Sequence, residues 1–349
     1  MLLQVSNSAD LSNKLTTQLD RVFPEGWSAR FFPESGHRQF DGRLEVQPPR
    51  GRPSRFEVEL KTRFEPRDID RIERLRKDSP TTERPFLMAP YLSPRSRQLL
   101  KERGISHADL TGNLWLSTDS LFIDRIGAEK APKFGTEERS RTSLRGPITG
   151  RVVRFLCDTR PPLKVREIAL GTNVHPGNIS RILEFLERER LVERSDSGSV
   201  ASVDWESLIQ RWSQDLQKER HSQTFLEPRG IETITALLSK WALPYAITGS
   251  YASAQLAPVI APIAIDVYVR EIDEAREALS LRASDRIGNV RLVRAFDRVA
   301  FERTIKRGNV VLACPSQIAA DLLTFPKRSS DEFTELIAWM KRNEPDWQR

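Results

Sequence analysis

Apolar positions along the chain alternate between helical and strand-like periods. Over residues 9–23, Leu11, Leu15, Leu19, Val22 and Phe23 recur at helical spacing, which predicts one amphipathic helix. Three strand-like runs follow at 28–33, 38–47 and 55–62, with turn signals at 33–36 and 48–54. Residues 67–77 are charged and helical, and 85–90 form a short apolar run that fits a buried strand. Residues 93–103 predict a helix closing at Gly104, and 113–123 predict a further strand. The order helix, three strands, helix, strand, helix, strand predicts an α/β domain with a mixed sheet over residues 1–126. Residues 127–147 are polar, contain Gly and Pro, and have no periodicity, as expected of a linker. A helical segment at 148–205, a connecting helix at 206–228 and a second α/β unit at 229–349 complete an α/β multidomain chain.

The central segment has the most specific pattern. Val152, Val153 and Leu156 lie on one helix, which Pro161-Pro162 breaks, and residues 164–170 form a second. Gly171-Thr172-Asn173 supplies a tight turn, and Pro176 opens a third helix at the position where proline is tolerated. Residues 191–194 and 200–203 then predict two strands joined by a turn. The whole resembles the winged helix-turn-helix of prokaryotic transcription regulators. That resemblance implies that the start of the third helix enters the major groove of double-stranded DNA. It aims His175, Asn178, Ser180 and Arg181 at DNA, with Arg194 on the wing suited to the backbone. His175 and Asn178 can equally be helix caps, and the less favoured reading of the winged helix is a part used only for dimerisation or as a domain spacer. Two-fold operators make a homodimer the expected state.

In the first domain, Asp41 stands at a strand start, and Glu59-x-Lys61 falls within a strand eighteen residues on. Side chains two apart on a strand share a face, so Glu57, Glu59 and Lys61 project together. Two carboxylates and a lysine on one face suit a phosphodiesterase that uses Mg²⁺ or Mn²⁺. With the element order, this resembles the PD-(D/E)XK restriction-endonuclease-like superfamily over about residues 9–125, although Phe40 replaces the proline usual before the first Asp. The resemblance implies catalytic roles for Asp41, Glu59 and Lys61, with Asp41 and Glu59 holding the metal. A domain of this ancestry can instead persist as a binding or scaffold module. Residues 91–116 add basic side chains able to touch phosphate, while Asp109, Thr111 and Asn113 fit turn chemistry.

Near the C-terminus, residues 245–258 suggest strand, Gly249-Ser250 turn and helix, followed by a strand carrying Asp266. This resembles the opening of the nucleotidyltransferase fold, in a degenerate form: Tyr268 stands where a second carboxylate is usual, and only a later acid such as Asp297 could substitute. Gly249-Ser250 can also be a plain turn. Together with the stretch 314–328, the region from about 145 to 349 resembles AbiEi-type antitoxins of type IV toxin–antitoxin systems. That resemblance implies a repressing winged helix and a C-terminal domain that counters a toxin protein. A nuclease-like domain in front of it is an addition to the usual plan.

Charge adds to the DNA-binding expectation. The chain has 55 Lys and Arg against 48 Asp and Glu, for a net charge of +7. Two distant cysteines, Cys157 and Cys314, give no disulfide framework, and neither a secretory signal nor a membrane span is visible. A cytoplasmic setting is therefore expected. The four histidines are isolated, and no Walker loop, GxGxxG or GxSxG motif is present.

Overall fold

The computed structural model describes residues 8–33, 40–78, 83–119, 121–127, 143–216, 221–283, 288–325 and 330–348. Most of the expected linker falls outside them. The chain is mixed α/β and divides into two compact units, one of residues 1–140 and 188–190 and one of residues 141–187 and 191–349.

The first unit opens with α1 (Ser8–Val22), whose Leu11, Leu15 and Leu19 are buried at helical spacing. Next come β1 (Ser28–Pro33), β2 (Gly42–Gln47) and β3 (Ser54–Leu60), an antiparallel meander. After a 3-10 turn at Pro66–Asp68 come α2 (Ile69–Asp78), β4 (Arg84–Ala89), α3 (Pro94–Glu102) and β5 (Ser106–Asp109). β3, β4 and β5 run parallel, which requires the two crossover helices. β6 (Leu114–Ser117) and β7 (Phe122–Arg125) then add an antiparallel edge, giving seven strands in sequential order. The single strand expected at 113–123 is therefore a hairpin, and β5 was not legible.

Helices cover both sheet faces. Leu11, Leu15, Leu19 and Phe23 pack with Leu44, Val46, Phe56, Val58, Phe86 and Met88 on one side. Ile69 and Ile72 of α2 and Leu99 and Leu100 of α3 pack with Leu87 and Ala89 on the other. β4 is buried on both faces, which explains its unbroken apolar run.

One buried polar group makes this unit pH-sensitive. His107 is 1% exposed, its Nδ1 is 3.1 Å from the Ile105 carbonyl, and its ring stacks on Trp115. Burial pulls its pKa from the ordinary 6.5 to about 4. The unfolded chain therefore binds the proton more tightly, and the unit should lose stability as pH falls from 6.5 toward 4. The loss should be about 3 kcal/mol at the acid end. Urea melts at a series of pH values should show this slope in the wild type and a flatter one in His107→Leu.

The second unit begins with α4 (Pro147–Asp158), α5 (Val165–Thr172) and α6 (Pro176–Arg188), then β8 (Val192–Arg194) and β9 (Val200–Val203). β8 and β9 form an antiparallel pair, and Leu163 bridges to Val200. Ile168, Ile179, Ile182, Leu183 and Leu186 are fully buried between the helices. Next come α7 (Trp205–Leu216), β10 (Ser222–Leu226), α8 (Ile231–Leu238), β11 (Ala246–Thr248), α9 (Gly249–Ala254) and β12 (Ile265–Val269). The remainder is α10 (Ile272–Ala278), β13 (Arg282–Ala283), β14 (Val290–Arg294), β15 (Ile305–Arg307), β16 (Val310–Leu312), α11 (Pro315–Thr324), α12 (Ser330–Arg342) and α13 (Glu344–Trp347). Its sheet has the order β13-β10-β14-β12-β11-β16-β15. The stretch expected to be a connecting helix thus ends as a helix at Leu216, and Ser222–Leu226 is already a strand of this sheet. One apolar core runs from Leu144 to Trp347 without a break.

Candidate functional site

In the first unit the three residues of the D…ExK pattern come together. Gly42 pairs with Val58 across β2 and β3, which sets Asp41 opposite Glu59. The Asp41 N–H donates to the Val58 carbonyl at 2.9 Å, and Asp41 Oδ2 accepts from the Leu60 N–H at 2.7 Å. Gly42 permits this crossing, since a Cβ there would meet the Phe32 carbonyl oxygen at 2.6 Å. Lys61 Nζ lies 2.8 Å from Glu59 Oε1, and the Lys61 N–H is fixed to the Met88 carbonyl. Glu59 is 3% exposed and neighbours Leu87 in register, on the face covered by α2 and α3. Glu57 follows the same parity, opposite Arg43. Sequence reasoning missed Arg71 of α2, whose Nε is 3.6 Å from Glu59 Oε1.

Two carboxylates on adjacent strands suit Mg²⁺ or Mn²⁺, hard ions that commonly complete their shell with water and substrate phosphate. Among the described residues no group of three or more His, Cys, Asp or Glu forms a metal cage. An ion here would be held by Asp41 and Glu59 and would compete with Lys61 and Arg71 for the Glu59 carboxylate. Close by in sequence, Asp109, Thr111 and Asn113 form a turn. The buried Asp109 carboxylate accepts from Leu92 N, Thr111 N and Oγ1, and Asn113 N and Nδ2. Those bonds account for these polar side chains without a ligand.

The five residues read from the sequence as DNA contacts, on α6, the turn before it and β8, sit in different surroundings. The exposed His175 accepts from the Gly177 N–H through Nδ1 at 3.2 Å and so caps α6. Ser180 Oγ donates back to the Pro176 carbonyl, one turn earlier. Arg194 braces the wing, with Nε 3.4 Å from the Gly198 carbonyl and Nη1 3.7 Å from Glu187 on α6. Arg181 is exposed and has no ion-pair partner among the described residues, and Asn178 beside it is half-buried. Glu184 and Glu187 are exposed further along, so only the first turns of α6 present a surface tolerable to phosphate.

The nucleotidyltransferase-like motif is tied up internally. Gly249 adopts φ +65 at the start of α9, and Ser250 Oγ donates to Glu332 at 2.9 Å. Asp266 is 2% exposed and paired at 2.8 Å with Arg291, its register neighbour on β14. Asp297 caps the 3-10 turn at Arg298–Phe301 and pairs with Arg151 at 2.7 Å. Asp266 and Asp297, the two acids the sequence pattern pointed to, are thus both held in ion pairs. Tyr268 and Thr248 both donate to Asp321 of α11, at 3.1 and 2.6 Å. Gln317 Nε2 joins Asp321 at 2.8 Å, and its Oε1 accepts from Arg154 of α4 at 3.1 Å. Arg154 in turn pairs with Asp158 at 3.0 Å, and Asp158 also accepts from Ser316 and Cys314. This buried chain joins α4 to the C-terminal sheet. Both cysteines are free and buried, and burial pushes the Cys314 thiol up to about 12, which keeps it protonated and unreactive.

Comparison of the chain with family models, with curated proteins and with solved structures gave no match. Among the described residues, no helix is long and apolar enough to cross a membrane.

Proposed function

We propose that the chain is a DNA-binding regulator of the AbiEi antitoxin kind, engaging duplex DNA through its winged helix and working as a dimer. The observation that carries this reading is the opening of α6. Pro176 sets the helix start, His175 caps it, and Arg181 stands exposed one turn in beside Asn178. Arg suits guanine and Asn suits adenine at a major-groove edge. The acidic later turns of α6 confine the contact to that short stretch, as in recognition helices that enter the groove by their N-terminal residues. Fluorescence anisotropy with the DNA upstream of its own reading frame should show tighter binding than random DNA of equal length. Arg181→Ala should weaken that binding by about 1–3 kcal/mol. Equal affinity for both DNAs would defeat the reading. For the protein partner that an antitoxin requires, the second unit offers an apolar loop before β12, where Ile260 is 61% and Ile263 88% exposed.

A second reading, a metal-dependent endonuclease targeted by the winged helix, is favoured by the juxtaposition of Asp41, Glu59 and Lys61. In that reading the regulator's DNA-binding unit selects the site and the first unit cuts it.

A further inference from the structure

The turn between β2 and β3 has a composition that neither reading uses. Residues 47–55 are Gln-Pro-Pro-Arg-Gly-Arg-Pro-Ser-Arg, three arginines without an acid. Arg50 and Arg52 are exposed and have no ion-pair partner among the described residues, whereas Arg55 is paired with Glu45 at 2.9 Å. The turn is held in shape from within. Gln47 Nε2 donates to the Pro48 carbonyl at 3.0 Å and to the Gly51 carbonyl at 3.3 Å. Pro49 packs so close to Gly26 that a Cβ on Gly26 would lie 3.0 Å from it. Gly51 takes φ +108, a conformation that L side chains rarely adopt, and a Cβ there would meet only Pro48 Cγ, at 3.9 Å. The result is an ordered tip in which two guanidinium arms flank a bare backbone, with proline on either side. The nearest acid in sequence on the packed turn is Glu25, which is exposed.

We infer that this tip is a second DNA-contact site, one that inserts Arg50 and Arg52 into the minor groove of A·T-rich duplex DNA. The minor groove is about 6 Å wide, so a backbone without a side chain can approach its floor more closely than one that carries a Cβ. Gly51 supplies that. Narrow A·T tracts concentrate negative potential, which draws inserted arginines. The Cα atoms of residues 50 and 52 are at most about 7 Å apart, the rise of two base-pair steps. Each planar fork can therefore address its own step. Prolines 49 and 53 restrict the chain before binding, which reduces the entropy lost on insertion. A duplex RNA would be a poor ligand, because its minor groove is wide and shallow. The site is on the first unit and does not depend on the winged-helix reading.

The test is anisotropy with the full chain and two short duplexes of equal length, one with an all-A·T centre and one all G·C, in a salt series. The A·T duplex should bind more tightly, and a minor-groove ligand such as distamycin should displace the protein from it. Arg50→Ala/Arg52→Ala should weaken A·T binding by about tenfold or more. The slope of log affinity against log salt should become shallower by about 2. Arg50→Lys/Arg52→Lys should keep the salt slope but lose the A·T preference, since lysine lacks the planar fork. Arg55→Ala should leave the preference intact, and so should Arg181→Ala, which separates this site from the winged helix. Unchanged A·T binding in the double alanine variant would overturn the inference. Equal losses on the A·T and G·C duplexes would overturn it as well, reducing the tip to a general phosphate contact.

Discussion

Asp158→Ala should lower the unfolding free energy of the second unit by about 3–5 kcal/mol, measured by urea melts. The carboxylate is 1% exposed and neutralises Arg154, which is also 1% exposed, at 3.0 Å. Burial opposes charge on that guanidinium, and Asp158 leads the neighbouring groups that together hold the pKa above its ordinary value. Without Asp158 the cation keeps only neutral acceptors: Gln317 Oε1 at 3.1 Å and the Val299 and Glu302 carbonyls. It cannot shed its proton near neutral pH, so the full cost of an unpaired buried charge falls on folding. Adding Arg154→Met to Asp158→Ala should return part of that loss, because the stranded charge is then gone. A cost below about 1 kcal/mol for Asp158→Ala would mean that water reaches the guanidinium. Arg154 is on α4, and Gln317 and Ser316 are on α11. The segment α4–β9 and the C-terminal sheet should therefore unfold in one transition.

The helices and hairpin of residues 147–203 were legible because their signals are local. Pro176 begins α6, Asn173 takes the left-handed conformation that ends α5, and the apolar spacing of both helices matches what is buried. The meander and the placement of Asp41 against Glu59-x-Lys61 were legible for the same reason: period-2 alternation and two turn-rich segments. β5 was not. Ser106-His-Ala-Asp has no β-branched or aromatic residue, and its polar side chains are buried only because Trp115 and the Asn113 turn come to meet them. Nor were the partners that decide each polar site. Arg71 reaches Glu59 from α2, Arg291 reaches Asp266 from β14, and Asp321 gathers Thr248 and Tyr268 from α11. Such pairings depend on strand order and helix placement, and a charged residue on an amphipathic helix gives no sign of which one it will meet. His175, Ser180 and Arg194, by contrast, meet backbone groups only two to four residues away, and a cap at His175 was one of the two readings its position allowed.

Glu59→Gln should abolish Mg²⁺- or Mn²⁺-dependent cleavage of supercoiled DNA if the first unit acts as the endonuclease reading holds, with a loss of at least about 100-fold. In that reading Asp41 and Glu59 would hold a divalent ion, which would supply Lewis-acid polarisation of the scissile phosphate. The chain's own part is geometric and electrostatic. The Leu60 N–H fixes Asp41 at 2.7 Å, so its carboxylate is aimed before any ligand arrives. Lys61, 2.8 Å from Glu59 and 21% exposed, is placed to orient an attacking water and to stabilise the charge that develops on phosphate. Glutamine keeps the shape of the buried side chain beside Leu87 and removes only its charge, so the fold should survive and the comparison remain clean. Lys61→Met should cost a similar factor in rate. Nicking that persists at wild-type rate in Glu59→Gln would remove the catalytic assignment. An intact plasmid with the wild type and both ions would leave the first unit a binding module, with Lys61 and Arg71 serving only to neutralise Glu59 under the helices that cover it.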